Sequence, residues 1–291
     1  MKGVYLDSRD LIRLVSRNEP IAPIDLAQVL TERQWQLVYS FANICEVVVL
    51  DDLLETRNRL QLLDRLPHTH IMAMPAIRCL EFTAARVACA GASKLESISP
   101  FVQRWHQSYT YPGQPNYQDM LVNYSLVDQV LPLAMNNPEV CRNSKGKAAF
   151  LQQAVEQDRA VTDAVRRNRQ RWEGGVRGAL RDCGVAVPQS ELAALAGWIR
   201  ADPCRCPGWR LFHEVYLEFC TNVGDLGDAG DVRDFSHVAC LPYVDAMTLD
   251  RRMSAYCRAA VIRLQSVKPD IGYSSRICGN TEAWLREMGD A

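Results

Sequence analysis

No apolar run in this 291-residue chain approaches the roughly 18 residues that a membrane-spanning helix requires. The opening, MKGVYLDSRD, places charge where a secretory signal needs an unbroken apolar core. Excess charge of either sign is also lacking: 33 Lys and Arg nearly match 34 Asp and Glu, leaving −1 with His neutral. No global positive field marks the chain for nucleic acid, so any such binding must use a local patch. Paired zinc-binding cysteines are missing too. The closest two of the 11 cysteines, Cys204 and Cys206 in DPCRCPGW, form C-x-C with no second Cys/His pair downstream. Most others (Cys45, Cys79, Cys89, Cys220, Cys240) lie in apolar runs, as small buried hydrophobes. These absences lead to the expectation of a soluble, cytoplasmic protein with free thiols and no membrane partner.

What the sequence does contain is 48% hydrophobic residues, enough for a sizeable core, in alternating strand-like and helix-like segments. Strand patterns fall at 3–6 (GVYL), 35–41 (WQLVYSF), 69–74 (THIMAM) and 245–249 (DAMTL), with a weak edge strand in KPDIGYSS. Helical spacing follows in DLAQVLTERQ, ANICEVVVLDDL, TRNRLQLLDRL (stopped by Pro67), AIRCLEFTAARVA and RRMSAYCRAAVIRL. The middle differs. Beyond the loop-like YTYPGQPNYQ it reads as helices around 119–135, 145–182, 189–201 and 208–222, without a strand. The pattern predicts an α/β chain, three layers α/β/α around a mainly parallel sheet. Residues 1–90 and 223–291 would supply the sheet, and 91–222 a large helical insertion or cap.

Acids gather where such a sheet places function, outside the carboxyl ends of its strands. Asp7 ends the first strand and Asp250 the late one; Glu46 follows the second by a few residues. Asp231 and Asp234, three apart, share one helix flank, which His237 extends. Carboxylates converging on one volume raise one another's pKa unless a cation intervenes, and hard oxygen donors suit Mg²⁺ or Mn²⁺. Metal-assisted phosphodiester hydrolysis is the chemistry that follows. Each acid also has a plainer reading: Asp231 as a helix cap, Asp234 as a complement to the helix dipole, Glu46 and Asp10 as solvated surface charge.

The string LPYVDAMTLDRRM resembles the PIN-like nuclease families, in Pro242, Tyr243, Asp245, Thr248, Leu249, Asp250 and Arg251. VYLDSRDLIRLV resembles the first PIN strand with Asp7; LVYSFANICEVV resembles the second strand and its acid-bearing helix, with Glu46. AIRCLEFTAARVA, with Glu81, resembles a further segment of some PIN-like toxins. The resemblance covers roughly 1–90 and 225–280 and leaves the middle unexplained. It implies a three-layer PIN-like domain and an endoribonuclease of toxin or defence type that uses Mg²⁺ or Mn²⁺. Asp7, Glu46, Asp231 or Asp234, and Asp250 would hold the metal, with Glu46 or Asp234 orienting the water. His237 would position a carboxylate or a phosphate, or simply hydrogen-bond in place, and Asp245 would be structural rather than a metal ligand.

Arg251 and Arg252 beside Asp250 would touch the scissile strand. VRRNRQRWEGGVRGALR (165–181), with six arginines, would track a nucleic-acid backbone while Trp172 stacks on a base, or would be a solvated helix face. Partners implied are RNA, an inhibitor or antitoxin protein, and a second copy in a homodimer. Two readings compete: a non-catalytic PIN-like scaffold, and a structure-specific DNA nuclease.

Overall fold

The computed structural model describes residues 1–15, 23–91, 95, 97–105, 107, 125–141, 169–222, 224–225 and 231–289. The first half runs β1 (Lys2–Tyr5), α1 (Ser8–Val15), α2 (Pro23–Glu32), β2 (Trp35–Ser40), α3 (Phe41–Val47), α4 (Leu53–Asp64), β3 (His68–Ile71), α5 (Met74–Cys89) and β4 (Phe101–Val102). Helices α6 (Leu126–Asn136), α7 (Pro138–Cys141), α8 (Arg169–Asp182), α9 (Gln189–Ala201) and α10 (Pro207–Thr221) follow. The chain closes with α11 (Asp231–Val238), β5 (Ala246–Thr248), α12 (Arg251–Gln265), β6 (Ile277–Cys278) and α13 (Thr281–Gly289).

The strands form one sheet in the order β4-β3-β2-β1-β5-β6. All neighbours are parallel except β3 and β4. The chain therefore steps one way from β1 to β2 and β3, then returns to β1's other edge with β5. That reversal opens a crevice beyond the carboxyl ends of β2, β1 and β5.

Strand periodicity of two sends alternate residues to opposite faces. Val4, Leu37, Tyr39 and Ala246 join a core with residues of α1, α2, α3, α4, α6 and α13. Tyr5, Val38, Ile71, Met247 and Ile277 join one with α10, α11 and α12. The sheet is thus covered on both faces, as the alternating pattern predicts. A third cluster packs α8 and α9 on α5 and the start of α10, through Phe82, Trp172, Val176, Leu195 and Trp209.

Several details differ from the sequence reading. The middle contributes a strand after all: β4 pairs antiparallel with β3, His70 opposite Val102. Two residues are too few to show alternation. Helix α3 stops at Val47, and Val48 is extended at φ −69°, ψ 129°. The branched valines resist helix, and Thr56 satisfies the freed backbone: its Oγ1 accepts from Val49 N (2.8 Å) and donates to Val49 O (2.9 Å). The strand pattern read over 69–74 ends at Ile71, and Met74 with Pro75 forms the first turn of α5 instead. KPDIGYSS forms turns, and the edge strand comes just after it, at Ile277–Cys278. The loop YTYPGQPNYQ and the 142–168 part of the long helical reading lie outside the described residues.

Candidate active site

The crevice is built by three strand ends. Asp7 leaves β1 and starts α1: its carbonyl accepts from Leu11 N at 2.9 Å, and its own N–H donates to Thr248 Oγ1 of β5 at 2.8 Å. Beyond β2, Ser40 caps α3 in a reciprocal capping box with Asn43. Asn43 Nδ2 also donates to Leu6 O at 3.4 Å, tying α3 to the end of β1. Glu46, three residues on, lies on the same flank of α3. Beyond β5, Asp250 caps α12, accepting from Met253 N at 2.7 Å. Asp234 enters from the first turn of α11.

Asp7, Glu46, Asp234 and Asp250 line a single cavity of about 540 Å³. Four of the five acids singled out in the sequence are thereby brought together from segments up to the whole length of the sheet domain apart. Asp231 is not among them. It is fully buried and paired with Arg252, which also binds Asp225 at 3.2 Å. The choice between Asp231 and Asp234 resolves in favour of Asp234 as the acid of the cleft.

Burial raises the pKa of Asp234 to about 7; nearby His237 opposes this, while Asp7, Asp250 and Glu46 add repulsion. Asp7 is also raised, chiefly by burial, with His237 lowering it and Asp10 and Asp250 raising it. His237 itself is 3% exposed and lies behind the carboxylates, out of a substrate's reach. Its Nδ1 hydrogen-bonds the Tyr5 hydroxyl, which meets Ser40 Oγ at 2.6 Å, and its Nε2 stands 3.8 Å from Glu46 Oε2. Burial disfavours charge on His237, but Glu46, Asp7 and Asp234 outweigh it and raise its pKa.

The cations also differ from expectation. Arg252 is engaged by two carboxylates, and Arg251 is exposed but does not line the cavity. Arg9 and Arg13, one turn apart on α1, do line it. Their spacing of four was a readable signal, since residues so placed share a helix face. Arg9 is half-exposed; Arg13 pairs with Glu282 at 3.2 Å.

Asp10, read as solvated, is 2% exposed. Trp172 cannot stack on a base: it is buried among Trp209, His213 and Arg210, whose guanidinium lies 4.2 Å from the ring centre. Asp245 is structural, its Oδ2 accepting from Gly3 N at 2.7 Å.

The donor set is four carboxylates on one open cavity, two of which, Asp7 and Asp234, are raised by burial; oxygen donors of this kind suit a hard divalent cation. As the side chains stand, no three His, Cys, Asp or Glu among the described residues are close enough to share one ion. No described helix is long and apolar enough to cross a membrane. The chain matches no family model, no curated protein and no solved structure.

Proposed function

We propose that this chain is a divalent-metal-dependent endonuclease of PIN-like type, cutting RNA in a toxin or defence role. One observation carries the reading: Asp7, Glu46, Asp234 and Asp250 line one cavity where β1, β2 and β5 end. Mg²⁺ or Mn²⁺, when bound, supplies water activation at neutral pH and offsets charge developing on phosphoryl oxygens. Asp7, Asp234 and Asp250 would hold the ion, drawn inward by it from their present spread. Glu46, whose Oε2 stands 3.8 Å from His237 Nε2 at the end of the buried Ser40–Tyr5–His237 chain, would orient the attacking water. Arg9 at the mouth would meet the substrate phosphate.

The choice of RNA rests on the resemblance of LPYVDAMTLDRRM and VYLDSRDLIRLV to PIN-like ribonucleases. The test is incubation with labelled single-stranded RNA, single-stranded DNA and a flap substrate, with Mn²⁺ or with chelator. Manganese-dependent RNA cleavage, lost in Asp7→Asn and Asp250→Asn, is the expected result. Preferential flap cutting would move the reading to a DNA nuclease. Cleavage unaffected by both substitutions would remove the site.

The spread of the carboxylates favours a second reading, a non-catalytic PIN-like scaffold. No cleavage of any substrate, together with no Mn²⁺ effect on melting temperature, would establish it.

A further inference from the structure

A second cavity, of about 430 Å³, lies away from the acids, at the start of the central strands. Its size falls within the roughly 300–1,000 Å³ of small-ligand sites. Lys2 and Trp35 form its wall as direct cross-strand neighbours on β1 and β2. Ala246 lies beside Val4 on β5; its small side chain leaves room on this face. Trp284 of α13 meets Trp35 edge-on at 5.6 Å. Exposed Arg33 lines the cavity together with two carboxylates: Asp245, whose Oδ2 accepts from Gly3 N, and exposed Glu287, which accepts from the Cys278 thiol at 3.4 Å.

The turn that presents this wall is unusual. Gln34, between Arg33 and Trp35, has φ 56°, the one positive φ at a non-glycine among the described residues. Its carbonyl accepts from Lys2 N at 2.9 Å, which pins the turn to β1. It closes α2, where Arg33 N donates to Val29 O at 3.0 Å and Gln34 N to Thr31 O at 3.2 Å, and it delivers the chain straight into β2. Lys2 Nζ stands 5.5 Å from the Trp35 ring centre, within cation–π range, on an exposed side chain long enough to reach an anion bound beside the ring.

We propose that this cavity binds a nucleoside monophosphate. The indole of Trp35 would take the base, Lys2 and Arg33 the phosphate, and the Glu287 carboxylate the ring N–H donors. That combination asks for a flat ring bearing N–H groups at one end and an anion at the other. A guanine nucleotide meets both demands. An aromatic acid without ring donors meets one. The site does not rest on the nuclease reading.

Calorimetric titration of the full chain with GMP, guanosine, inorganic phosphate and naphthalene-1-acetate tests the proposal. The expected result is saturable one-to-one binding of GMP, with the other three about tenfold weaker or more. Lys2→Glu and Arg33→Glu, both at exposed positions, should each weaken GMP by a similar factor. Ala246→Leu, with its fold checked by circular dichroism, should abolish binding by filling the cavity. Asp7→Asn should leave it unchanged whether or not the acid cleft cuts RNA. No saturable GMP binding, equal binding of phosphate alone, or binding lost in Asp7→Asn but kept in Lys2→Glu would each overturn the assignment.

Discussion

At the residue scale, Asp234 ties the cleft to stability. Its carboxyl titrates near 3.8 unfolded and about 7 folded, raised first by burial and then by Asp7, Asp250 and Glu46. Between those values the folded state holds the extra proton, so this group makes stability fall as pH rises from about 4 to 7. Asp234→Asn should remove that slope and stabilise the protein at pH 8 by about 2 kcal/mol, discounted for partial solvent access. Urea unfolding of both forms at pH 5 and pH 8 measures it. Asp250 has two functions that can be separated, because Asn caps a helix as well as Asp while carrying no charge. Asp250→Asn and Asp250→Ala should both lose manganese-dependent cleavage, but only the alanine variant should lose about 1 kcal/mol of stability. Asp7 and Asp250 were legible in the sequence because both follow short apolar strands. Asp231 and Asp234 were not separable by spacing, since both fit one helix flank; the partner that removes Asp231, Arg252, lies on another helix. Asp10 was misread for a related reason: a polar residue in a first turn gives no sign of what covers it.

At the scale of elements, one carboxylate fastens two helices together. Helix α10 has no side-chain cap of its own. Glu81 of α5 supplies it from outside, accepting from Gly208 N at 2.5 Å and Trp209 N at 2.9 Å, with the Tyr243 hydroxyl also donating to it. Burial raises Glu81 to about 7 even though these bonds pull it down. Glu81→Ala would leave two backbone N–H groups and a hydroxyl without an acceptor, and should cost about 2–4 kcal/mol by denaturant unfolding. Gly208→Ala should also destabilise, because its new Cβ would lie 2.7 Å from the Ala239 carbonyl oxygen. Glycine at this place records a close approach, not a turn. The resemblance placed Glu81 in a PIN-like segment, but its task as a cap was invisible: capping signals are local in sequence, and this one spans more than a hundred residues. Strands β4 and β6, two residues each, escaped for want of length, whereas β1, β2, β3 and β5 announced themselves by apolar runs.

At the scale of the molecule, strand–helix alternation at both ends of the chain was enough to predict a mostly parallel sheet covered on both faces. The same logic located the crevice, because strand order reverses at β1. Charge on the surface was harder to read. With a net charge of −1, attraction to a polyanion must come from local groups such as Arg9 at the cleft mouth. Arg9→Ala should therefore weaken RNA binding uniformly across sequences and reduce the slope of log affinity against log salt by about 1. Filter binding with calcium in place of manganese, over a range of salt, reads that slope. The central claim is that carboxylates from distant segments share one cation. Titrating Mn²⁺ while following the paramagnetic resonance signal of the free ion tests it most directly. The native chain should remove that signal saturably, and Asp7→Asn should bind about tenfold more weakly or not at all. An Asp7→Asn titration that superimposes on the native one, or a native chain that leaves the free signal untouched, would contradict the account.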